Sequence, residues 1–415
     1  MRKNYITAPT LKEKTLSVTD MSSVTGFALN ACVGQEICPS LKLKSLNVNS
    51  QVKILKFYSV YDRVFIYAED GALYEYTDGS IIKVETLGEQ PLLTGIIFSG
   101  EREILVQTTT ETFIVGRKKL VSGQIPMGTC SVIYKGRLFV ADKDKIYFGG
   151  PFSFDGYSIN IDNYGFMGMP IETGTVKGLV VYGETLLIFT VNAIYKLTLA
   201  ENVDYMVERI LTPALNVADS SCKIVGDAVY FISGNRLARY KNGNVTFINS
   251  AILSGGFSVE GPCAVMDDKY LLPIYFKEHL VQCVYCYDTV SGTEQAVMVY
   301  SSIVGDGGIV VDDNDNGLYV LDGEGVINHL GYWGSKTFNF GTYYGKVLLE
   351  LSLYIDRPAK LIVRGDFGMA EYVLEKGNQI KRLNLYSRTF DLEIIVKDDV
   401  FFAKDLKIKY RITEN

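Results

Sequence analysis

Histidine and tryptophan are almost missing from this chain, with two of the first and one of the second in 415 residues. The commonest general base and metal ligand is therefore scarce. His279 (in FKEHLVQ) and His329 (in VINHLGY) have no nucleophile or carboxylate at useful spacing, so both read as structural or surface residues. No G-x-S-x-G elbow is present, and no phosphate-cradling G-x-x-x-x-G-K-[ST] or dinucleotide fingerprint. Asp366-Phe367-Gly368 spells a kinase tripeptide, but without a glycine-rich loop, strand lysine or H-R-D it stands alone. No run approaches the roughly 20 apolar residues needed to span a bilayer, and the opening MRKNYITAPTLKEK lacks the apolar core of an export signal. The expectation is a chain made in the cytoplasm without a membrane segment. Basic residues are not in excess: the formal charge is −6, which argues against a general nucleic-acid binder. Cysteine is odd in number, seven scattered residues, which reads as free thiols from a reducing compartment. Cys283 and Cys286 form a C-x-x-C inside the strand-like VQCVYCYD; three residues apart on a strand they point to opposite faces and cannot share a metal.

What is abundant is strand chemistry. The chain holds 28 Tyr and 21 Phe, side chains suited to a half-buried pleated surface. No segment keeps an i, i+3, i+4, i+7 apolar stripe for three turns, so the chain is expected to be all-β. A unit of short apolar run, turn, apolar run and Gly- or Asn-marked turn then recurs seven times. Clear copies are DRVFIYAEDGALYEY, GRLFVADKDKIYFGG, GETLLIFTVNAIYKL, GDAVYFISGNRLARY and NGLYVLDGEGVINHL, with looser ones from Glu101 and Asp267. With Arg63, Glu103, Arg137, Glu184, Asp227, Lys269 and Gly317 as equivalent marks, the steps are 40, 34, 47, 43, 42 and 48 residues. That period with several strands per unit predicts a seven-bladed β-propeller over residues 51–335. One Trp and two His exclude the sialidase turn repeat S-x-D-x-G-x-x-W and the G-H and W-D dipeptides of WD40 chains.

Residues 1–50 are polar and irregular and are expected to form either an extended arm or a segment that closes the ring, since an unclosed propeller leaves an open strand edge. After Trp333 the period breaks. Residues 336–415 alternate compactly, and in DLKIKYRI the residues Leu406, Ile408, Tyr410 and Ile412 face one way while Lys407, Lys409 and Arg411 face the other. A small C-terminal β-sandwich is expected, packed by its apolar face with a basic face outward. From Lys336 to Asn415 there are 14 Lys+Arg and 11 Asp+Glu, which leaves −9 for the preceding residues. Such asymmetry suits two surfaces with different partners, and a solvated strand face equally.

Two stretches invite a functional reading. The Gly- and aromatic-rich GGPFSFDGYSINIDNYGFMGMP (Gly149 to Pro170) places Phe152, Phe154, Tyr157 and Phe166 either as caps on adjacent blades or as a partner contact. Asp312, Asn314, Asn316 and Gly317 match the opening D-x-N-x-N-G of a calcium loop, but Gly323 stands where the closing Glu belongs and Val320 where a shorter loop wants an acid. An acidic hairpin turn competes with calcium there. No catalytic, cofactor-binding or metal site is assigned, and the chain is expected not to be an enzyme.

The third copy, GRLFVADKDKIYFGGPFSFDGYS (Gly136 to Ser158), resembles a phrase found in virion proteins of tailed bacteriophages: an R-L-F-V-A strand, a turn, an aromatic strand, then a Pro-containing aromatic loop. It occurs in propeller-bearing tail proteins, among them nozzle and tail-closure proteins of short-tailed phages. TDMSSVTGFALNACVGQEICPSLKLKSLN and KVLLELSLYIDRPAKLIVRGDFGMAEYVLE are similar to the segments flanking their blades. Gly149-Gly150 replaces the usual Ser-Ala-like pair, and Tyr157 stands where Trp is frequent. The resemblance implies a structural component of a phage tail or tail-tip complex: a collar, nozzle or plug around the DNA exit channel. Its partners would be other virion proteins in a homo-oligomeric ring, commonly sixfold, with genomic DNA passing and no sequence-specific contact; its location would be the virion, assembled in the host cytoplasm. A negative propeller would not stick to passing DNA, and Lys407, Lys409 and Arg411 could dock on an acidic neighbour. The alternatives are a propeller that binds a host-surface glycan through Phe152, Phe154 and Tyr157, and, behind it, a propeller glycosidase or lyase.

Overall fold

The computed structural model describes residues 13–98, 100–116, 127–148, 153–155, 158–160, 165–199, 205–254, 256–299, 303–312, 317–323, 330–397 and 400–413. Strands dominate, and the α-helix among these residues is the single turn Met21–Val24. Its start lies in the Ser/Thr-rich stretch that sequence reading left irregular. There the Asp20 carboxylate accepts the Ser22 N–H at 3.0 Å and the Ser22 hydroxyl at 2.7 Å, satisfying donors that a first helical turn leaves open.

Two compact units emerge, one from residues 43–291 with 299–325, the other from 1–42, 292–298 and 326–415. Among the described residues the first unit contains seven blades in chain order. Four strands make blade 1 (Ile54–Val60, Arg63–Ala68, Ala72–Thr77, Ser80–Thr86), and three described strands make blade 2 (Leu92–Phe98, Glu101–Gln107, Thr112–Ile114). Blades 3, 4 and 5 begin at Cys130–Tyr134, Val176–Tyr182 and Lys223–Val225. In blade 6, Phe257–Val259 and Ala264–Met266 both pair with Lys269–Phe276. Blade 7 is Val304–Gly305, Ile309–Asp312, Gly317–Asp322 and then Lys42–Asn49. The first strand of each blade touches the first strand of the next, and blade 7 touches blade 1, so the cycle closes. This is a seven-bladed β-propeller.

The repeat has a physical basis in tight turns. Asp78-Gly79 and Asn242-Gly243 take positive φ at both positions (50° and 76°, 50° and 84°), the handedness that matches strand twist in a two-residue hairpin. Between the turns, buried side chains pack across neighbouring sheets rather than within one. Ile54, Phe57 and Ile66 of blade 1 meet Ile309, Val311 and Leu318 of blade 7. Phe65 and Leu73 meet Ile104 and Val106 of blade 2, and Phe189 of blade 4 lies 5.1 Å from Phe231 of blade 5. A propeller core is thus a set of sheet-on-sheet interfaces, each supplied by two copies of the repeat.

The boundaries differ from the periodicity. Of the expected leading segment 1–50, the strand Lys42–Asn49 closes the last blade, and Leu46 and Val48 pack against the core between blades 7 and 1. The described residues before it belong to the other unit, as does Gly331–Ser335, which the periodicity had left at the end of the propeller. Pairing decides this: Trp333 faces Ala28 on one side and Ile394 on the other. The single Trp is fully buried, and its Nε1 donates to Thr25 Oγ1 at 2.7 Å.

That unit is a β-sandwich. One sheet runs Thr25–Leu29, Gly331–Ser335, Phe390–Val396, Ala359–Gly365, Gly368–Leu374. In the other, Ala403–Thr413 is flanked by Gly345–Ile355 and by Glu13–Ser17, and Gly377–Ser387 forms the far edge. Phe340 joins the layers, its ring stacked 4.2 Å from Tyr410 and edge-on 6.1 Å from Phe390. Leu406, Ile408 and Tyr410 are buried and Lys407 is exposed, as the alternation requires. The basic face is partly neutralised, since Lys409 pairs with Glu13 of the N-terminal strand at 2.6 Å.

Candidate functional site

The seven innermost strands surround a cavity of about 240 Å³, the bore of the propeller. Its charged lining is Lys56 from blade 1, Lys177 from blade 4, Asp219 and Lys223 at blade 5, and Asp306 from blade 7. Lys56, Cys130 and Lys177 each stand seven residues ahead of their repeat marks Arg63, Arg137 and Glu184, so equivalent positions of three blades meet at this wall.

Asp306 is the most connected of these groups. Its Oδ1 accepts the Val265 N–H of blade 6 at 2.7 Å, and Lys223 Nζ of blade 5 lies 3.0 Å from Oδ2. Its own N–H donates to Ser59 Oγ of blade 1 at 3.1 Å. One residue of blade 7 therefore ties three other blades together. The turn that presents it contains Gly307 and Gly308 at φ 76° and 74°, and a Cβ on Gly308 would come within 2.5 Å of Met266 Sδ. Across the bore, Lys177 pairs with Asp219 at 2.6 Å. Both aspartates are thus engaged by lysines. Lys56 has no carboxylate partner among the described residues; its ammonium lies 4.8 Å from the Tyr58 ring centre, and burial lowers its pKa.

Three thiols complete the wall: Cys130, Cys222 and Cys263. Desolvation pushes Cys130 up to about 11 and Cys263 up to about 12. Cys222 is raised for the same reason, and then by the neighbouring Cys263 and Cys130. They remain neutral thiols at physiological pH, and such thiols are poor nucleophiles and poor metal ligands. The sequence showed seven scattered cysteines. Aligning the copies on their marks would have found these three, which stand seven, five and six residues before Arg137, Asp227 and Lys269.

The positions singled out from sequence do not converge on this wall. Phe152, Tyr157 and His329 lie outside the described residues, and of Phe154 the backbone is seen, in a short hairpin of Ser153–Asp155 with Ser158–Asn160. Phe166 is exposed, 6.2 Å from the Tyr147 ring and 5.3 Å from Lys145 Nζ. His279 sits in an exposed turn, edge-on to Phe276 at 6.5 Å. Asp312 and Gly317 are register partners across a hairpin in blade 7, while Asn314 and Asn316 lie outside the described residues. Cys283 and Cys286 occupy one strand, opposite Ile274 and Leu271, three residues apart and so on opposite faces. Asp366 of the DFG tripeptide organises a turn: its carboxylate accepts the Arg388 and Thr389 N–H groups at 2.9 and 3.2 Å.

No protein family matches the chain, and no curated protein matches it. Among solved structures it is similar to a virginiamycin B lyase from Staphylococcus aureus crystallised with quinupristin, at 14% identity and TM-score 0.47, over 68% of this chain and 97% of that one. BamB from Moraxella catarrhalis matches at 11% identity and TM-score 0.39, over 66% of this chain and 98% of that one. Hsv2 from Kluyveromyces lactis matches at 11% identity and TM-score 0.39, over 69% and 98%. The class of protein is defined by its own sheets, a β-propeller carrying a β-sandwich. Likenesses at this level lend it no activity and no partner.

Proposed function

We propose that the protein is a structural component of a phage tail or tail-tip complex and acts by protein–protein assembly. The phage reading rests on the phrase from Gly136 to Ser158 and its flanks. The assembly reading rests on the sandwich edge. Gly368–Leu374 and Gly377–Ser387 end their sheets with one described partner strand each; Met369 and Val373 of the first, Ile380 of the second and Phe367 in the preceding turn are exposed. Phe367 stacks on Tyr386 at 6.0 Å, and Tyr343 is 95% exposed. Open edges beside exposed aromatic and aliphatic side chains are what a chain covers in its working assembly. The test is mass spectrometry and immunogold labelling of purified phage particles: stoichiometric presence at the tail is expected, and absence from the particle refutes the reading.

A further inference from the structure

The bore carries an unbalanced charge. Three lysines and two aspartates line it, and each aspartate is already held by a lysine, Lys177–Asp219 at 2.6 Å and Lys223–Asp306 at 3.0 Å. Cys130, Cys222 and Cys263 contribute no negative charge, because desolvation keeps them protonated. What remains is the Lys56 ammonium, with an aromatic ring and, among the described residues, no carboxylate beside it. A cation held in a partly desolvated site without a counter-ion is costly, and an anion in the cavity removes that cost.

We propose that the propeller bore is a binding site for a small organic carboxylate, with Lys56 as its counter-ion. The unneutralised charge is one, which matches a carboxylate better than a phosphate monoester carrying about −1.5 to −2 at neutral pH. The wall mixes Leu93, Val176, Leu179 and Val304 with the hydroxyls of Ser59, Thr129 and Ser220, so it offers apolar contact to the body of a small organic acid and polar contact to its carboxylate. At about 240 Å³ the cavity lies just below the roughly 300–1,000 Å³ of drug-sized sites, so the acid is small, of the size of benzoate. This site is independent of the assembly reading and stands or falls without it.

The test is isothermal titration of the full chain with sodium benzoate, sodium acetate and inorganic phosphate, with choline chloride as a salt control. Saturable binding of benzoate is expected, weakened at least tenfold in Lys56→Met and retained in Lys56→Arg. Asp219→Asn frees Lys177 and should tighten benzoate severalfold, which keeps the proposal testable if Lys56→Met fails to fold. Lys407→Met, on the outer face of the sandwich, should change nothing. The proposal is overturned if benzoate and acetate give no saturable heat, if phosphate alone binds, if Lys56→Met binds benzoate as the parent does, or if Asp219→Asn does not tighten it.

Discussion

Asp306→Ala is the sharpest probe of how the ring is held. The aspartate gives a charge-assisted acceptor to the Val265 N–H at 2.7 Å, and such bonds contribute about 1.5–3 kcal/mol. Its ion pair with Lys223 has side chains 30% and 35% exposed, so water screens it and it adds only about 0.2–1 kcal/mol. The expected loss is about 2–4 kcal/mol, which corresponds to about 30- to 700-fold faster exchange where opening at Val265 limits the rate. Asp306→Asn keeps a carbonyl oxygen for Val265 and loses the charge, so it should cost about 1 kcal/mol. Because the chain has two units, one unfolding midpoint does not define stability. Hydrogen-exchange mass spectrometry on peptides covering Lys223, Val265 and Ser59 resolves the effect. Faster exchange should appear at Val265 and around Lys223, which the side chain serves, and not at Ser59, whose bond comes from the Asp306 backbone N–H that the alanine variant keeps. If the Val265 amide exchanges no faster in Asp306→Ala, the clasp contributes nothing and the reasoning fails.

Three further outcomes are expected. Gly308→Ala places a side chain at φ 74° and 2.5 Å from Met266 Sδ; left-handed strain alone costs about 1–2 kcal/mol, and hydrogen exchange of peptides around Gly308 and Met266 should show a loss of at least that size. Trp333→Ala empties a fully buried site and should destabilise the sandwich by about 3–5 kcal/mol, read by circular dichroism in urea; a loss under about 1 kcal/mol would mean the site collapses freely. Hydrogen bonds from Thr389 and the Arg388 N–H hold the Asp366 carboxylate down at about 2. With an ordinary value near 3.9, its stabilisation is present above that pH and is lost as pH falls toward 2. Asp366→Asn should therefore flatten the acid limb of sandwich stability between those values, followed by Trp333 fluorescence, and an unchanged limb would contradict the assignment.

Much of the fold is local, and local patterns are legible. Alternation put Leu406, Ile408 and Tyr410 on the buried face of their strand before any tertiary contact was known, because successive strand residues point to opposite faces. Gly- and Asn-marked turns at a near-constant step announced the blades. Less legible was where each unit ends. Gly331–Ser335 follows the last repeat without a break, and its place is fixed by Thr25–Leu29, some 300 residues away, against which it pairs. Lys346 is a similar case: a lysine in an alternating strand reads as surface, yet it is fully buried and donates to the Thr342 and Arg388 carbonyls at 2.6 and 2.7 Å. Cys32 and Cys38 face one another across a hairpin that their separation alone did not announce.

The scarcity of His and Trp and the seven copies of one pattern determined by themselves that this chain would be a propeller of ordinary strands. Strand period and turn chemistry are properties of a few adjacent residues, so sequence suffices for them. Which copies meet at the bore, that Asp306 clasps three other blades, and that Lys56 has no carboxylate partner among the described residues were decided only when the chain closed on itself. Those facts depend on distances between residues far apart in sequence, and ring closure sets those distances.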